Sequence, residues 1–513
     1  MEAAQIHQQH SRRWIILAFL GLAQLMVVLD ATIVNVAMPS IQSSLGFSNV
    51  DRQWLITAYS LAFGSLLFLG GRLSDLLGRK TTLQIGLVGF AIASALGGAS
   101  QTFTMLVTAR AIQGAFGAVL APAALAALTT TFVDREERGK AFGIYGSIAG
   151  AGAAIGLLLG GILTQYLDWR WCLYVNLLFA GVALVGTQVL LHRERGSASG
   201  GLDVLSTSLI CGGLFAIVFG LSNAATVASN DFAIGLHVTL VTAFWNGTTI
   251  AWLVVGIALV ALFAWRQTRI KDPMLPMDVV LDRARGGSFL SIMLAAAAMF
   301  ATFIFLSYYL QDIHGYSPVR TGLAFLPMVV ALAATAATSS TKLLPRVGPR
   351  PLTTVGMALG TVGMVIFAQL TVTSSYVTHV LPGLLINGMA MGLVFSTSMN
   401  TATARVKPEY AGSASATVNV TQQVGGSIGT ALLSTVYIAA TIAVLPPGIG
   451  TIPPTKLTPA QKLLEATANV HGYTTAFWWA AGLFAIGAVI AGLVLPSGRP
   501  ALAIDEPELV GAV

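Results

Sequence analysis

Charge is what this sequence has least of. Of its 513 residues only 9% are Asp, Glu, Lys or Arg, where a soluble domain carries about 25%. A soluble fold of this length cannot cover its surface with so few charges. That excludes a soluble enzyme, a nucleic-acid-binding protein and a disordered chain. Cysteine is scarce too: Cys172 and Cys211 both lie in apolar runs, so no disulfide framework is expected. The seven histidines are scattered in loops or near the ends of apolar runs, without the clustered spacing of a metal site. No phosphate-cradling G-x-x-x-x-G-K loop occurs, so ATP is not the expected direct energy source. No metal and no cofactor are expected, and a membrane-embedded enzyme is the weakest class left standing.

Apolar residues are abundant, at 55%. A bilayer core about 30 Å thick needs roughly 20 apolar residues per helix. Fourteen such runs occur, at about 14–38, 54–73, 82–100, 104–131, 141–165, 171–191, 205–222, 248–265, 288–311, 321–343, 352–372, 380–402, 412–438 and 473–495. Lipid cannot satisfy stray backbone groups, so the expected fold class is an all-α integral membrane protein. The seventh and eighth runs are separated by a fairly apolar loop, Ser222 to Trp245. With the N-terminus inside, 21 of the 27 Lys and Arg fall in inside segments, 5 fall outside, and Arg110 lies within a helix. This asymmetry predicts both termini in the cytoplasm; the expected location is the plasma (bacterial inner) membrane. It also accounts for the net charge of +7 without nucleic acid. Ser11-Arg12-Arg13 faintly resembles a twin-arginine export signal, but the apolar run after it is too long and holds Asp30.

The sequence repeats. Arg72, Leu73, Gly78 and Lys80 return as Lys342, Leu343, Gly348 and Arg350, 270 residues on. Gly139, Gly152 and Gly156 return as Gly412, Gly425 and Gly429, and Gln113-Gly114 returns as Asn387-Gly388. Two six-helix halves with two helices inserted between them are therefore expected: 14–191, an insert at 205–265, a cytoplasmic linker at 266–286, 287–495 and a tail at 496–513. Two halves with a central site form a secondary-transporter architecture.

Asp30 and Arg110 are the only formally charged residues well inside expected helices. Such residues are costly in a membrane and mark candidate functional sites. Asp30 lies about 24 Å from Trp14 at the inner edge, and Arg110 about 10 Å from Phe103 at the outer edge, at 1.5 Å per residue. Both therefore sit at similar depth in the outer half. On one reading Asp30 exchanges a proton and binds a cationic substrate, with burial favouring its neutral form and Arg110 its charged form. On the other, the two are a structural pair fixing the first helix against the fourth. Their counterparts in the second half are about Phe305 and Leu384, so any coupling site belongs to the first half alone.

Gly71-Arg72-Leu73-Ser74-Asp75-Leu76-Leu77-Gly78-Arg79-Lys80 joins the second and third helices and resembles the signature loop of the major facilitator superfamily. Leu29-Asp30-Ala31-Thr32-Ile33-Val34-Asn35-Val36-Ala37-Met38-Pro39 resembles the first-helix motif of its fourteen-helix drug:proton antiporters. Arg110-Ala111-Ile112-Gln113-Gly114 is similar to the superfamily's fourth-helix motif. Trp169-Arg170-Trp171 before Asn176 and Tyr309-Leu310-Gln311 before Gly315 also fit. The likeness runs from Trp14 to Leu495. It implies the major facilitator fold and multidrug efflux of hydrophobic or cationic compounds in exchange for protons. It also implies that Asp30 and Arg110 couple to protons and that Gly71, Arg72, Asp75, Gly78 and Arg79 form a conformational latch. The fifth-helix antiporter motif, usually G-P-x-x-G-G, reads Gly156-Leu157-Leu158-Leu159-Gly160-Gly161 here, without proline. Gly146, Gly150, Gly152, Gly156 and Gly160 keep the small-residue spacing of close helix packing.

Candidate substrate-binding residues are Asp30, Trp54, Tyr59, Gln113, Phe303, Gln311, Asn387 and Asn419: aromatic rings for lipophilic cations, and polar groups that need partners in lipid. Thr458-Pro459 is expected to open a short surface helix ending near Glu465. The expected partners are small amphipathic or cationic compounds, protons and membrane lipids. Two rivals stay open: export of an endogenous lipid, siderophore or self-made antibiotic, and a non-transporting membrane scaffold or sensor.

Overall fold

The computed structural model describes residues 2–47, 51–132, 134–191, 203–233, 246–270, 273, 275, 277–403, 411–445 and 458–497, and no strand occurs among them. The long helices are α1 (Glu2–Leu45), α2 (Arg52–Leu77), α3 (Arg79–Gly98), α4 (Phe103–Thr131), α5 (Arg135–Tyr166), α6 (Trp171–Leu190), α7 (Val204–Ala233) and α8 (Gly247–Gln267). They continue as α9 (Arg283–Ile313), α10 (Pro318–Val347), α11 (Pro349–Phe367) and α12 (Tyr376–Thr403), then α13 (Ala411–Val444) and α14 (Pro459–Val494). Thirteen carry a stretch long and apolar enough to cross a membrane. In the fourteenth, α5, the apolar stretch counted among the described residues is Ile155–Tyr166. The whole of α5 is 32 residues, about 48 Å at 1.5 Å per residue.

Helix ends follow local chemistry. Thr102 caps α4 by accepting from the Met105 N–H, and Asn246 caps α8 by accepting from Thr249 at 2.8 Å. Thr458 does cap a helix, with Pro459 in its first turn and a reciprocal bond from Gln461. That helix does not stop near Glu465, though; it runs unbroken to Val494. Its early residues are mostly helix formers (Ala, Gln, Lys, Leu, Glu) and no proline follows Pro459 before Pro496. The seventh helix also outruns its apolar stretch, continuing through Asn223 to Ala233, where no proline interrupts it; residues 234–245 lie outside the described residues. In α10 the backbone widens into a π-type turn at Ser339–Leu343, just before Pro345, which has no N–H to continue the helical ladder.

Helices α1 to α6 pack as one bundle, with α1 on α4, α5 and α6, and α4 on α2 and α3. Helices α9 to α14 pack as a second, with α9 on α12, α13 and α14, and α11 on α12 and α14. The repeat is visible in the backbone: Gly78 and Gly348 each join two helices at φ 84° and 86°, a region that glycine reaches without strain. The two bundles meet at α2 with α13, α5 with α10, and α1 with α9. Helix α7 lies along one of these seams, touching both α2 and α13, and Thr435 of α13 donates to the Leu221 carbonyl at 2.6 Å. Helix α8 packs chiefly on α7 and exposes Val254, Ile257 and Trp265, as a lipid-facing surface would. At the base of this hairpin Arg266 donates to both Asp203 oxygens, at 3.0 and 3.2 Å.

The close approach of α2 and α4 depends on Gly114, where an added Cβ would collide with the Tyr59 carbonyl. Gly114→Ala is therefore expected to destabilise the purified protein by about 1–3 kcal/mol through overpacking. Gly181→Ala, where a Cβ meets nothing within 4 Å, should leave the thermal unfolding midpoint unchanged or slightly raised.

Candidate functional site

The site begins with Asp30, the acidic residue in the membrane-spanning part of α1, Arg12–Leu45. Asp30 has no exposed surface, and Arg110 is 2% exposed. The Arg110 Nη1 donates to Asp30 Oδ2 at 2.6 Å. The second oxygen, Oδ1, accepts from Gln113 Nε2 at 2.7 Å and from Asn176 Nδ2 at 2.8 Å. Gln113 also bonds Ser94 and accepts from Arg110, each at 2.7 Å. Four helices, α1, α3, α4 and α6, thus meet around one carboxyl group. A carboxylate buried this completely needs its charge matched and its lone pairs filled, and this cluster does both.

Arg110 is positioned from its other side as well. Its Nε reaches the Leu55 carbonyl at 3.4 Å, and its guanidinium lies 4.3 Å from the centre of the Tyr59 ring, a cation–π contact. Helix α1 is held here by α5: added Cβ atoms at Gly152, Gly156 and Gly160 would strike Leu25 and Val28, Leu29 and Thr32, and Ile33 in turn. Those residues flank Asp30, so the small-residue face of α5 sets where the carboxylate sits. Leu157, in place of the motif's proline, is fully buried, and α5 runs unbroken through it.

Beside the pair lies a small cavity of about 20 Å³, room for about one water. It is lined by Tyr59, Phe63 and Arg110 from the first bundle and by Phe300, Gln423 and Ser427 from the second. Ser427 donates across the seam to the Ser60 carbonyl at 2.9 Å. Of the residues singled out in the sequence, Asp30, Arg110, Gln113 and Tyr59 come together here.

The others sit elsewhere. Phe303 packs against Phe325, ring centres 5.7 Å apart. Gln311 lies in the π-type turn ending α9, and Trp54 in the first turn of α2. Asn387 belongs to the second bundle, where it donates to Thr302 at 2.9 Å, and Thr302 in turn points at Met364 Sδ. This repeats the Gln113–Asp30 bond with no charge present. The residue in Asp30's bonding role is thus Thr302, not Phe305, which stacks among Tyr437, Tyr473 and Phe477.

At the α2–α3 turn, Gly71 faces Pro122, and Arg72 and Arg79 flank the turn glycine Gly78. Neighbouring Lys80 donates to the Gln188 and Leu191 carbonyls at 2.8 Å, at the end of α6. The side chains of Asp75 and Asn419, and the surroundings of Gly146 and Gly150, lie outside what is described. Asn176 entered the sequence reading only as part of a motif and Ser94 not at all, and neither was a candidate site residue. The available signal was a polar residue inside an apolar run, the same signal that marked Gln113.

The chain's likeness to known proteins agrees with this architecture. Residues 20–430 match the model of the Major Facilitator Superfamily. A puromycin resistance protein of Streptomyces alboniger is 44% identical over 499 residues, covering 97% of this chain and 94% of its own. The multidrug efflux pump LfrA of Mycolicibacterium smegmatis is 31% identical over 431 residues, covering 84% and 82%. Among solved structures, a bacterial homologue of the human lysosomal transporter Spinster, inward-facing and unoccupied, superposes with a TM-score of 0.60 at 15% identity, covering 94% and 97%. With a family match running through both bundles and a relative aligned almost end to end, this integral membrane chain belongs to the major facilitator superfamily of secondary transporters.

Proposed function

We propose that the protein exports hydrophobic or cationic drugs in exchange for protons by alternating access, with Asp30 as the proton-exchanging group. The observation that carries this reading is the buried Asp30–Arg110 pair at 2.6 Å, set against a cavity that both bundles line. As long as Asp30 is ionised the pair is neutral overall, and a cationic cargo beside Tyr59 and Phe300 meets no net repulsion. Protonating Asp30 removes the negative partner and leaves the Arg110 charge unmatched next to the cavity, which favours release of a cation. Loss of that proton on the opposite side restores the pair and readies the site for the next cargo.

In this reading both termini face the cytoplasm of a bacterial inner membrane, as the Lys and Arg bias favours. Residues 14–191 and 287–495 form the rocking halves, 205–265 the insert, 266–286 the cytoplasmic linker, and 496–513 the tail. The turn of Gly71, Arg72, Asp75, Gly78 and Arg79 serves as a cytoplasmic latch between states. For a neutral cargo one proton moved inward gains about 2.3 kcal/mol per 100 mV; for a monovalent cation the two charge movements cancel, and each unit of pH gradient supplies about 1.4 kcal/mol, enough for a tenfold concentration ratio.

A second reading keeps the mechanism and narrows the cargo to one antibiotic made by the host cell. It is favoured by the relative aligned end to end, which is named for resistance to a single drug, whereas the LfrA relative is named for many. A panel of chemically unrelated drugs separates the two, since a dedicated exporter protects against one member only.

In proteoliposomes with an imposed pH gradient, the wild-type chain is expected to accumulate ethidium. Asp30→Asn should abolish gradient-driven accumulation, by about tenfold or more if one proton is lost from coupling, while still allowing downhill ethidium exchange. Gradient-driven accumulation that persists unchanged in Asp30→Asn overturns the coupling role. Arg110→Leu, which strands a buried carboxylate, is expected to destabilise the fold by about 3–5 kcal/mol, read as a fall in the unfolding midpoint. The double variant Asp30→Asn/Arg110→Leu should recover part of that loss.

A further inference from the structure

A further charged pair, distinct from Asp30 and Arg110, crosses the seam between the bundles. Arg52 opens α2 in the first bundle, and its Nη1 lies 2.8 Å from Asp312 Oδ2 in the last turn of α9, in the second bundle. The same guanidinium stands over the Tyr308 ring, 5.0 Å from its centre, and its Nε donates to Gln42 of α1. Tyr308 is 3% exposed, and its hydroxyl has no hydrogen-bond partner. Around it lie Tyr437 and Tyr473, stacked at 5.0 Å, with Phe305 5.4 Å from Tyr437. A carboxylate beside an aromatic face, backed by further rings, is the chemistry that recognises an organic cation.

The division of these groups between the bundles is the informative part. Asp312, Tyr308 and the rings behind them all belong to the second bundle, whereas the cation that occupies them is tethered to the first. The bundles are closed together at this end: Gly161 lies against the Pro318 carbonyl, Gly322 against Leu157 and Leu158, and the Val319 N–H donates to Gln165 at 3.4 Å. Any motion that parts this end withdraws Arg52 and leaves the carboxylate and the ring facing the opening.

We propose that Asp312 and Tyr308 form an exit site for a cationic cargo at the outer mouth, and that Arg52 is the tethered cation that fills this site on closure and expels the cargo. The proposal rests on the transport reading above and deepens it. Cargo leaving the Asp30 cavity pauses against Asp312 and Tyr308 in the open state. Return of Arg52 competes it off, so re-closing and release become one event.

The test uses tetraphenylphosphonium added to the outer side, with the purified full chain carrying Asp30→Asn so that the central cavity does not dominate binding. Binding is read by calorimetry and by the fluorescence of Trp54, two residues from Arg52. Asp312→Asn and Tyr308→Leu are each expected to weaken binding about tenfold. Arg52→Gln is expected to tighten it, because the tethered competitor is gone. The opposite signs matter: if Arg52 and Asp312 were only a closing clamp, removing either would shift binding the same way. Shifts of equal sign, or no shift in any of the three, overturn the proposal. So does an absence of tetraphenylphosphonium binding in the parent. Unfolding midpoints identify a variant that has merely failed to fold, and Tyr308→Leu then stands in for Asp312→Asn. If the wild-type chain binds externally but never accumulates ethidium under a gradient, the transport reading fails while the cation site survives.

Discussion

A carboxyl group with no exposed surface, held among membrane-spanning helices, constrains everything around it. Asp30 can stay ionised only if Arg110 remains within contact and if Gln113 and Asn176 fill its second oxygen. Those partners come from α4 and α6, so the requirement is met only when three helices hold one relative position. Removing Arg110 would leave a charge unmatched in a medium that penalises it heavily, and removing either amide would leave a buried lone pair unfilled. Gaining a proton, by contrast, relieves Asp30 of the need for all of them at once. On the proposed reading, the contacts that fix the first bundle are the ones a proton loosens, so that packing and coupling share one set of atoms.

The second bundle shows what the arrangement looks like without that constraint. Asn387 bonds Thr302 as Gln113 bonds Asp30, and glycines of α13 meet α9 as those of α5 meet α1. The geometry is kept and the charge is not. At this paired position only the first half carries an ionisable group, which is where the proposed proton exchange would act. The uncharged copy supplies the opposing wall, through Phe300, Gln423 and Ser427.

Much of this could be read in the sequence because lipid leaves few options. Apolar run length located the helices, and the cost of a charge in hydrocarbon singled out Asp30 and Arg110; a simple count of helical rise brought them to one depth. What the sequence hid was partner choice. Nothing in the spacing tells Asn176 and Ser94, which join the cluster, from Asn387 and Gln311, which lie elsewhere, since all are polar residues in apolar runs. Helix ends were hidden for a related reason. The run ends where apolar residues stop, but α7 and α14 continue while the backbone has no proline to break its ladder, whatever the polarity of the side chains. The cross-seam contact of Arg52 with Asp312 joins residues 260 apart in sequence, and no local pattern announces it.

Helix α7 rests on α2 and α13 together and is bonded to one of them through Thr435 and Leu221, whereas the flank formed by α5 and α10 has no such cover among the described residues. The two sides of the molecule are consequently unequal as mechanical joints. A strap laid over one edge resists separation there and leaves the other freer to part, so the halves would swing like a door hung on one side. On the proposed transport reading, a hydrophobic cargo would then enter from the bilayer along the unstrapped flank.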